Sequence, residues 1–130
     1  MSREDATINM VIAALGGEGG GVLTNWLIAA AEQSGWWCQS TSLAGVAQRT
    51  GATIYYLEFM LRQGDKPAPV MSLFPAQGDI DIAVASEIAE AGRMISRGFI
   101  SPEKSMLIAS DHRVFGITEK SATGDGSVDR

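Results

Sequence analysis

Hydrophobic residues fall into runs of strand length that alternate with stretches of helical spacing. Continuous apolar, β-branched or aromatic runs predict strands at residues 10–15, 36–41, 53–60, 79–85 and 106–109. Apolar positions recur at helical spacing from Val22 to Ser34-Gly35 and again from Ile88 to Gly98. A strand–helix–strand unit at each end of the chain predicts an α/β fold, a Rossmann-like three-layer sandwich with a mainly parallel sheet.

Polar, glycine-marked stretches separate these elements. Residues 42–51 are too polar for a strand and are predicted to form a loop with room for one helical turn, and residues 62–69 contain Gly64, Pro67 and Pro69 and are predicted to be a loop. Residues 121–130 are polar and glycine-containing, so we expect one domain over residues 1–120 followed by a tail or linker.

The composition is that of a globular protein. The chain has 130 residues, 45% hydrophobic and 19% charged, which is enough for one domain with one core. Its apolar runs are too short to span a membrane, its N-terminus is polar, and its single cysteine cannot form an internal disulfide, so we expect a cytoplasmic location. The net charge of −5 argues against nucleic-acid binding, which usually needs a basic face.

The glycine loop, Gly16-Gly17-Glu18-Gly19-Gly20-Gly21, follows the first strand and precedes the first helix. Such a turn is a typical anion site, because N–H groups at a helix N-terminus lack helical partners. The loop does not match G-x-G-x-x-G, no Lys-Ser or Lys-Thr follows it, and the ribose-binding acid expected about 20 residues further on is missing. Two interpretations remain, a tight turn for close strand–helix packing or a loop that contacts an anion, and Glu18 disfavours a highly charged phosphate directly on it.

Other polar residues offer few candidates for chemistry. Gln48 and Arg49 lie in a second glycine-flanked segment, where an arginine either binds a carboxylate or phosphate bidentately or is simply solvated. Glu87 opens the second helix, where an acid is favoured electrostatically, and Cys38 is expected to be a small buried hydrophobe. No Ser-His-Asp set, metal-ligand cluster or carboxylate pair has suitable spacing, so we predict no catalytic residue and no metal site in this chain.

Three segments, in order, resemble the gamma-type domain of the 2-oxoacid:ferredoxin oxidoreductases. Residues 16–23 are similar to the family's glycine-rich turn ending in Gly-Val-Leu, residues 45–51 to its Gly-x-Ala-Gln-Arg-x-Gly signature, and residues 81–91 to its Asp-apolar-Glu-x-x-Glu-Ala segment. The form of the glycine loop looks most like the beta subunit of indolepyruvate ferredoxin oxidoreductase. Ala44 stands where many members have His, and the chain stops sooner than the family domain usually does, so we expect a truncated domain.

The resemblance implies a non-catalytic component of an enzyme complex. Such complexes oxidatively decarboxylate a 2-oxoacid, here indolepyruvate or another arylpyruvate, with thiamine diphosphate and Mg, pass electrons through iron–sulfur clusters to ferredoxin, and form an acyl-CoA. The thiamine and cluster sites would lie in partner domains, and a single cysteine cannot hold a four-cysteine cluster. The gamma-type domain would pack on those domains and help to bind coenzyme A through Gly16, Gly17, Gly19, Gly20, Gly21, Gln48 and Arg49.

Two other functions stay open from the residues alone. One is a stand-alone NAD(P)- or FAD-dependent oxidoreductase, which the failed dinucleotide motif disfavours. The other is a scaffold that binds only protein. Trp36 and Trp37 are either core or edge-strand residues or part of an interface, and assembly into a homo-oligomer is left open.

Overall fold

The computed structural model describes residues 7–43, 51–62, 64, 67 and 78–111. The helices and strands within this part of the chain are, in order, β1 Thr7–Leu15, α1 Gly20–Gln33, β2 Trp36–Leu43, β3 Ala52–Leu61, β4 Ile82–Ala85, α2 Ile88–Ser96 and β5 Met106–Ala109. No helix in these ranges is long and apolar enough to cross a membrane.

The strands form a mixed sheet in the order β2-β3-β1-β4-β5. β4 runs parallel to both β1 and β5, whereas β3 runs antiparallel to both β1 and β2. The α/β class is therefore confirmed, with four strands pointing the same way and β3 reversed. The reversal has a simple cause, because parallel neighbours need a crossover of about a dozen residues or more, and only residues 44–51 join β2 to β3.

The two helices cover opposite faces of the sheet, which gives the three predicted layers. α1 packs on the face that carries Ile12 and Leu57, while Ala91 and Met94 of α2 pack on the face that carries Val11. Side chains along a strand alternate between faces, so β1 contributes to both cores. Val11, Ile12, Ala13 and Ala14 are all at least 96% buried, as expected for a central strand.

Four of the five strands differ at their ends from those predicted. β1 begins at Thr7 and not at Met10, because Thr7, Ile8 and Asn9 also pair with β3, and β3 is one residue longer at each end. β2 continues through Ser42 and Leu43, which pair with β3, although these residues were assigned to a loop. β4 begins at Ile82 and not at Asp79, because the Asp81 carboxylate itself accepts the backbone N–H of Asn9 at 2.8 Å. An aspartate side chain that bonds to backbone in this way competes with regular strand pairing.

Several sequence predictions fall outside the described residues. They concern the helical turn within residues 44–50, most of the predicted loop at 62–69, and the tail at 121–130. Trp36 and Trp37 do lie in the described part, as half-buried residues of the edge strand β2, and the Arg62 guanidinium lies 4.1 Å from the centre of the Trp37 ring.

Candidate ligand edge at the glycine loop

The glycine loop lies at the edge of the sheet where β1, β4 and β5 end, which we call the glycine edge. Leu15 pairs there with Ala52, the first residue of the reversed strand β3. The Ser86 N–H donates to the Ala13 carbonyl at 2.9 Å, and the Ser86 hydroxyl oxygen accepts the Leu15 N–H at 3.3 Å. These bonds fix the position at which β1 ends and the loop begins. Ligands of α/β sheets usually bind at such carboxyl ends.

The first half of the loop is an exposed turn that requires glycine. The Glu18 N–H donates to the Leu15 carbonyl at 3.1 Å and closes a β-turn whose third residue, Gly17, has φ +83°. Gly19, the N-cap of α1, has φ +81°. Residues other than glycine rarely adopt these left-handed φ values, so the turn depends on Gly17 and Gly19.

The second half of the loop is a close-packing site. A Cβ atom on Gly20 would lie 2.7 Å from the Ala14 Cβ and 2.8 Å from Tyr55 Cε2, and one on Gly21 would lie 3.3 Å from the Tyr55 hydroxyl. Gly20 therefore lets α1 approach β1 and the Tyr55 ring. Close strand–helix packing, one of the two interpretations of the loop, describes Gly20 and Gly21. Contact with an anion, the other interpretation, stays a prediction.

The start of α1 offers backbone N–H groups towards the glycine edge. The first helical bond runs from the Leu23 N–H to the Gly19 carbonyl at 2.9 Å, and no side chain caps the helix. The N–H groups of Gly20, Gly21 and Val22 precede this bond, so they have no acceptor within the helix. The first turn of α1 contains no acid that would repel an anion. Glu18, which precedes the helix, is exposed.

Gln48 and Arg49 lie outside the described residues. The connection that contains them begins after Leu43, which pairs with Ile54, and ends at Gly51, next to Ala52. Both ends therefore lie at the glycine edge. Their contact with a ligand stays a prediction.

Two acids of the third family-like segment fix the start of α2. Glu87 is 98% buried, and its carboxylate caps the helix by accepting the Glu90 N–H at 2.9 Å. Glu90 is 99% buried and forms an ion pair with Arg93. Burial raises the pKa of Glu90, and the Arg93 charge partly opposes this. The helix-start interpretation of Glu87 thus agrees with its geometry.

Asp81, the first residue of the same segment, lies at the opposite edge of the sheet. Besides accepting the Asn9 backbone N–H, it lies 3.8 Å from the Lys104 ammonium, which also pairs with Asp79 at 2.7 Å. The Asn9 side-chain amide donates to Asp79 at 3.1 Å. These contacts join the beginnings of β1 and β4, so Asp81 has a structural role far from the glycine loop.

The sequence correctly placed Cys38 in a strand but missed Tyr55 as a neighbour of the loop. Burial, and then the Glu32 charge, raise the pKa of the half-buried Cys38 thiol to about 11. Such a thiol is a poor nucleophile at neutral pH. Tyr55 reaches the loop only because β3 pairs with β1, and this register is not readable from the residue pattern. Across the ranges that the structure describes, no three His, Cys, Asp or Glu residues are grouped to bind a metal ion.

Comparisons with known proteins identify the fold and the family. The profile of the family Pyruvate ferredoxin/flavodoxin oxidoreductase matches residues 9–126. A 2-oxoglutarate:ferredoxin oxidoreductase from Magnetococcus marinus, solved with 2-oxoglutarate, coenzyme A and succinyl-CoA bound, has a TM-score of 0.59 and 16% identity over 97% of this chain. The present chain spans only 18% of that protein's length.

A keto/oxoacid ferredoxin oxidoreductase gamma subunit from Geobacter sulfurreducens gives a TM-score of 0.46 and 14% identity, covering 78% of this chain and 60% of that subunit. No curated protein matches the sequence significantly. The family profile covers most of the chain, including the glycine loop and the segment with Gln48 and Arg49. This chain therefore belongs to the pyruvate ferredoxin/flavodoxin oxidoreductase family.

Proposed function

We propose that this chain is a non-catalytic domain of a thiamine-diphosphate-dependent 2-oxoacid:ferredoxin oxidoreductase and that its glycine edge helps to bind coenzyme A. The observation that carries the proposal is the exposed glycine turn, followed by the uncapped N–H groups of Gly20, Gly21 and Val22. Its support from the comparisons is family membership and a relative of the same fold that was solved with coenzyme A bound.

The backbone of the glycine edge fits a pyrophosphate-bearing ligand. Backbone N–H groups at a helix start donate to phosphate oxygens without needing side chains. The Gly17 and Gly19 backbone leaves room for close approach, since a Cβ on either would meet nothing within 4 Å. Arg49 would add a charge-assisted hydrogen bond. Thiamine diphosphate, when bound in a partner domain, would supply the decarboxylation chemistry.

The proposed partners are the thiamine-binding and iron–sulfur domains or subunits of the same complex, through which electrons reach ferredoxin. The proposed substrate is indolepyruvate or another arylpyruvate, on the strength of the form of the glycine loop. An assembled complex that turned over 2-oxoglutarate or pyruvate faster than indolepyruvate would contradict this substrate without affecting the role of the domain.

The test of the coenzyme A site compares Arg49→Ala with Arg62→Ala in the assembled complex. Arg62 follows β3 at the opposite edge of the sheet, so it is a matched control for loss of a positive charge. Removing a hydrogen bond to a charged group costs about 1.5–3 kcal/mol, so we expect coenzyme A to bind at least about tenfold more weakly to Arg49→Ala. Arg62→Ala should bind it like the wild type.

Pantetheine separates phosphate recognition from recognition of the thiol arm. It keeps the thiol but lacks the phosphates, so Arg49→Ala and the wild type should bind it equally, as measured by calorimetry. If coenzyme A bound Arg49→Ala with wild-type affinity, Arg49 would have no role in the site.

A further inference from the structure

Two successive glycines open α1, although glycine is the least favourable helix residue after proline. Packing explains Gly20, because its Cβ would lie too close to the Ala14 Cβ and to Tyr55 Cε2. Gly21 needs a different explanation. The described atoms that a Cβ on Gly21 would meet both belong to Tyr55, the hydroxyl oxygen at 3.3 Å and the ring carbon that bears it at 4.0 Å.

Gly21 therefore leaves room for the hydroxyl of Tyr55 and not for its ring. A separation of 4.0 Å from the ring carbon is an ordinary van der Waals contact, whereas 3.3 Å from the hydroxyl oxygen is crowded. A phenylalanine at position 55 would tolerate alanine at position 21. The glycine thus preserves the space beside the Tyr55 hydroxyl.

The Tyr55 hydroxyl has a different environment from that of its neighbour in β3. Tyr56 lies on the opposite face of the sheet, where its hydroxyl donates to the Glu58 carboxylate at 3.3 Å. Within the residues that the structure describes, no hydrogen bond engages the hydroxyl of the half-buried Tyr55. It lies instead beside Gly21, one of the residues whose N–H groups have no acceptor within α1.

Thr24 brings a second hydroxyl to the same place. It follows Gly20 by four residues and Gly21 by three, so it lies on their side of the helix. Helix side chains cover the turn that precedes their own Cα, so the Thr24 side chain points towards the two glycines. Thr24 is 96% buried, and its Oγ1 has no hydrogen-bond partner. Because such a hydroxyl is costly to bury alone, a polar atom from outside the described chain belongs at this place.

We propose that the Tyr55 hydroxyl binds a phosphate oxygen of the ligand at the glycine edge, together with the Gly21 N–H. This inference rests on the proposed function and adds a side chain to its site. A backbone N–H can only donate, and both hydroxyls have a proton to donate. A ligand atom that only accepts, such as a phosphate oxygen, satisfies all of these groups, and the first turn of α1 contains no acid to repel it.

The position of Tyr55 is fixed before any ligand arrives. Its backbone pairs with Ile12 of β1 on one side and with Ser42 of β2 on the other. Its ring lies against Gly20, on the sheet face that α1 covers. Little ordering of this side chain is therefore needed on binding, which favours a contribution to affinity.

Calorimetry on the assembled complex tests the inference by comparing Tyr55→Phe with Tyr56→Phe. Tyr55→Phe keeps the ring and removes only the hydroxyl, so coenzyme A should bind at least about tenfold more weakly while pantetheine binds as it does to the wild type. Tyr56→Phe removes a hydroxyl from the next residue on the other face of the sheet, so it should bind both ligands like the wild type. Urea denaturation should give Tyr55→Phe a midpoint close to that of the wild type, because its hydroxyl has no described partner within the fold.

Two results would overturn the role of Tyr55 even if Arg49→Ala weakened coenzyme A binding as expected. One is wild-type affinity of Tyr55→Phe for coenzyme A. The other is an equal loss of pantetheine and coenzyme A binding, which would mean that the hydroxyl acts through the fold.

Inorganic pyrophosphate separates this inference from the proposed function. If the wild-type complex bound pyrophosphate but not coenzyme A, the proposed function would fail and the role of Tyr55 would be decided by pyrophosphate alone. Weaker pyrophosphate binding by Tyr55→Phe would then support the inference, and equal binding would overturn it. A wild type that bound neither compound would overturn both.

Discussion

At the scale of single residues, the glycines of the loop have different roles. Gly17 and Gly19 provide left-handed backbone, whereas Gly20 removes a side chain where α1 meets Ala14 and Tyr55. From the sequence, close strand–helix packing was one interpretation of the whole loop, and contact with an anion was the other. The sequence could not show which glycines pack closely, because the contact depends on where Tyr55 lies in the neighbouring strand.

Gly20→Ala should destabilise the fold. The new methyl group would lie 2.7 Å from the Ala14 Cβ, which belongs to a central strand and cannot move away easily. Overpacking of this kind costs about 1–3 kcal/mol in free energy of unfolding, measured by urea denaturation. Gly16→Ala is the matched control, since its Cβ would meet nothing within 4 Å and should leave stability nearly unchanged. Equal stability of the two variants would contradict the packing role of Gly20.

Cys38 should be unreactive in the folded protein. Its pKa of about 11, against an ordinary 9.0, makes the thiolate fraction about 100-fold smaller at pH 8. Alkylation by iodoacetamide, followed by mass spectrometry, should therefore be roughly 100-fold slower than in denaturant. Glu32→Gln should speed the folded-state reaction because it removes a charge that raises this pKa, whereas Glu18→Gln should not. If Cys38 were alkylated equally fast in the folded and the denatured protein, its pKa would not be raised by the fold.

At the scale of elements, the apolar pattern predicted strands and helices well and their pairing less well. The run of buried residues in β1 marks a central strand, and helical spacing marks α1 and α2. The reversal of β3 follows from the length of the connection before it. The late start of β4 follows from the side-chain bond between Asp81 and Asn9, a long-range contact that no local pattern contains.

The free energy of unfolding should depend on pH through Glu90, in the first turn of α2. Burial raises the pKa of Glu90 above its ordinary 4.5, so the folded state binds more protons than the unfolded state in the window above that value. The contribution of Glu90 to the free energy of unfolding therefore falls as pH rises through this window. Glu90→Gln lacks this effect, so its stability relative to wild type, measured by urea denaturation, should improve as pH rises above the ordinary pKa of 4.5.

Glu103→Gln is the control, because its stability relative to wild type should change with pH in the opposite direction. A hydrogen bond from the Ser101 hydroxyl, at 2.5 Å, lowers the pKa of the exposed Glu103 carboxyl. Its stabilising contribution is present above the ordinary pKa and is lost as pH falls, so this variant should lose stability relative to wild type as pH rises. If the stabilities of Glu90→Gln and Glu103→Gln relative to wild type changed in the same direction as pH rises, burial would not explain the raised pKa of Glu90.

At the scale of the whole molecule, the fold class and the family could be predicted from the sequence, because three motifs occur in the family's order around a predicted strand–helix–strand pattern. The side chains that would complete the site could not be placed. Arg49 lies outside the described residues, and the backbone N–H groups at the start of α1 are donors that no residue type reveals.

We propose that this chain is a necessary but non-catalytic part of a 2-oxoacid oxidoreductase. The most direct measurement is ferredoxin reduction that requires both a 2-oxoacid and coenzyme A, compared for the chain alone, the thiamine-binding and iron–sulfur partners alone, and the assembled complex. We predict activity only in the complex. Full activity of the partners without this chain, or oxidoreductase activity of the isolated chain with NAD(P) or FAD, would contradict the claim.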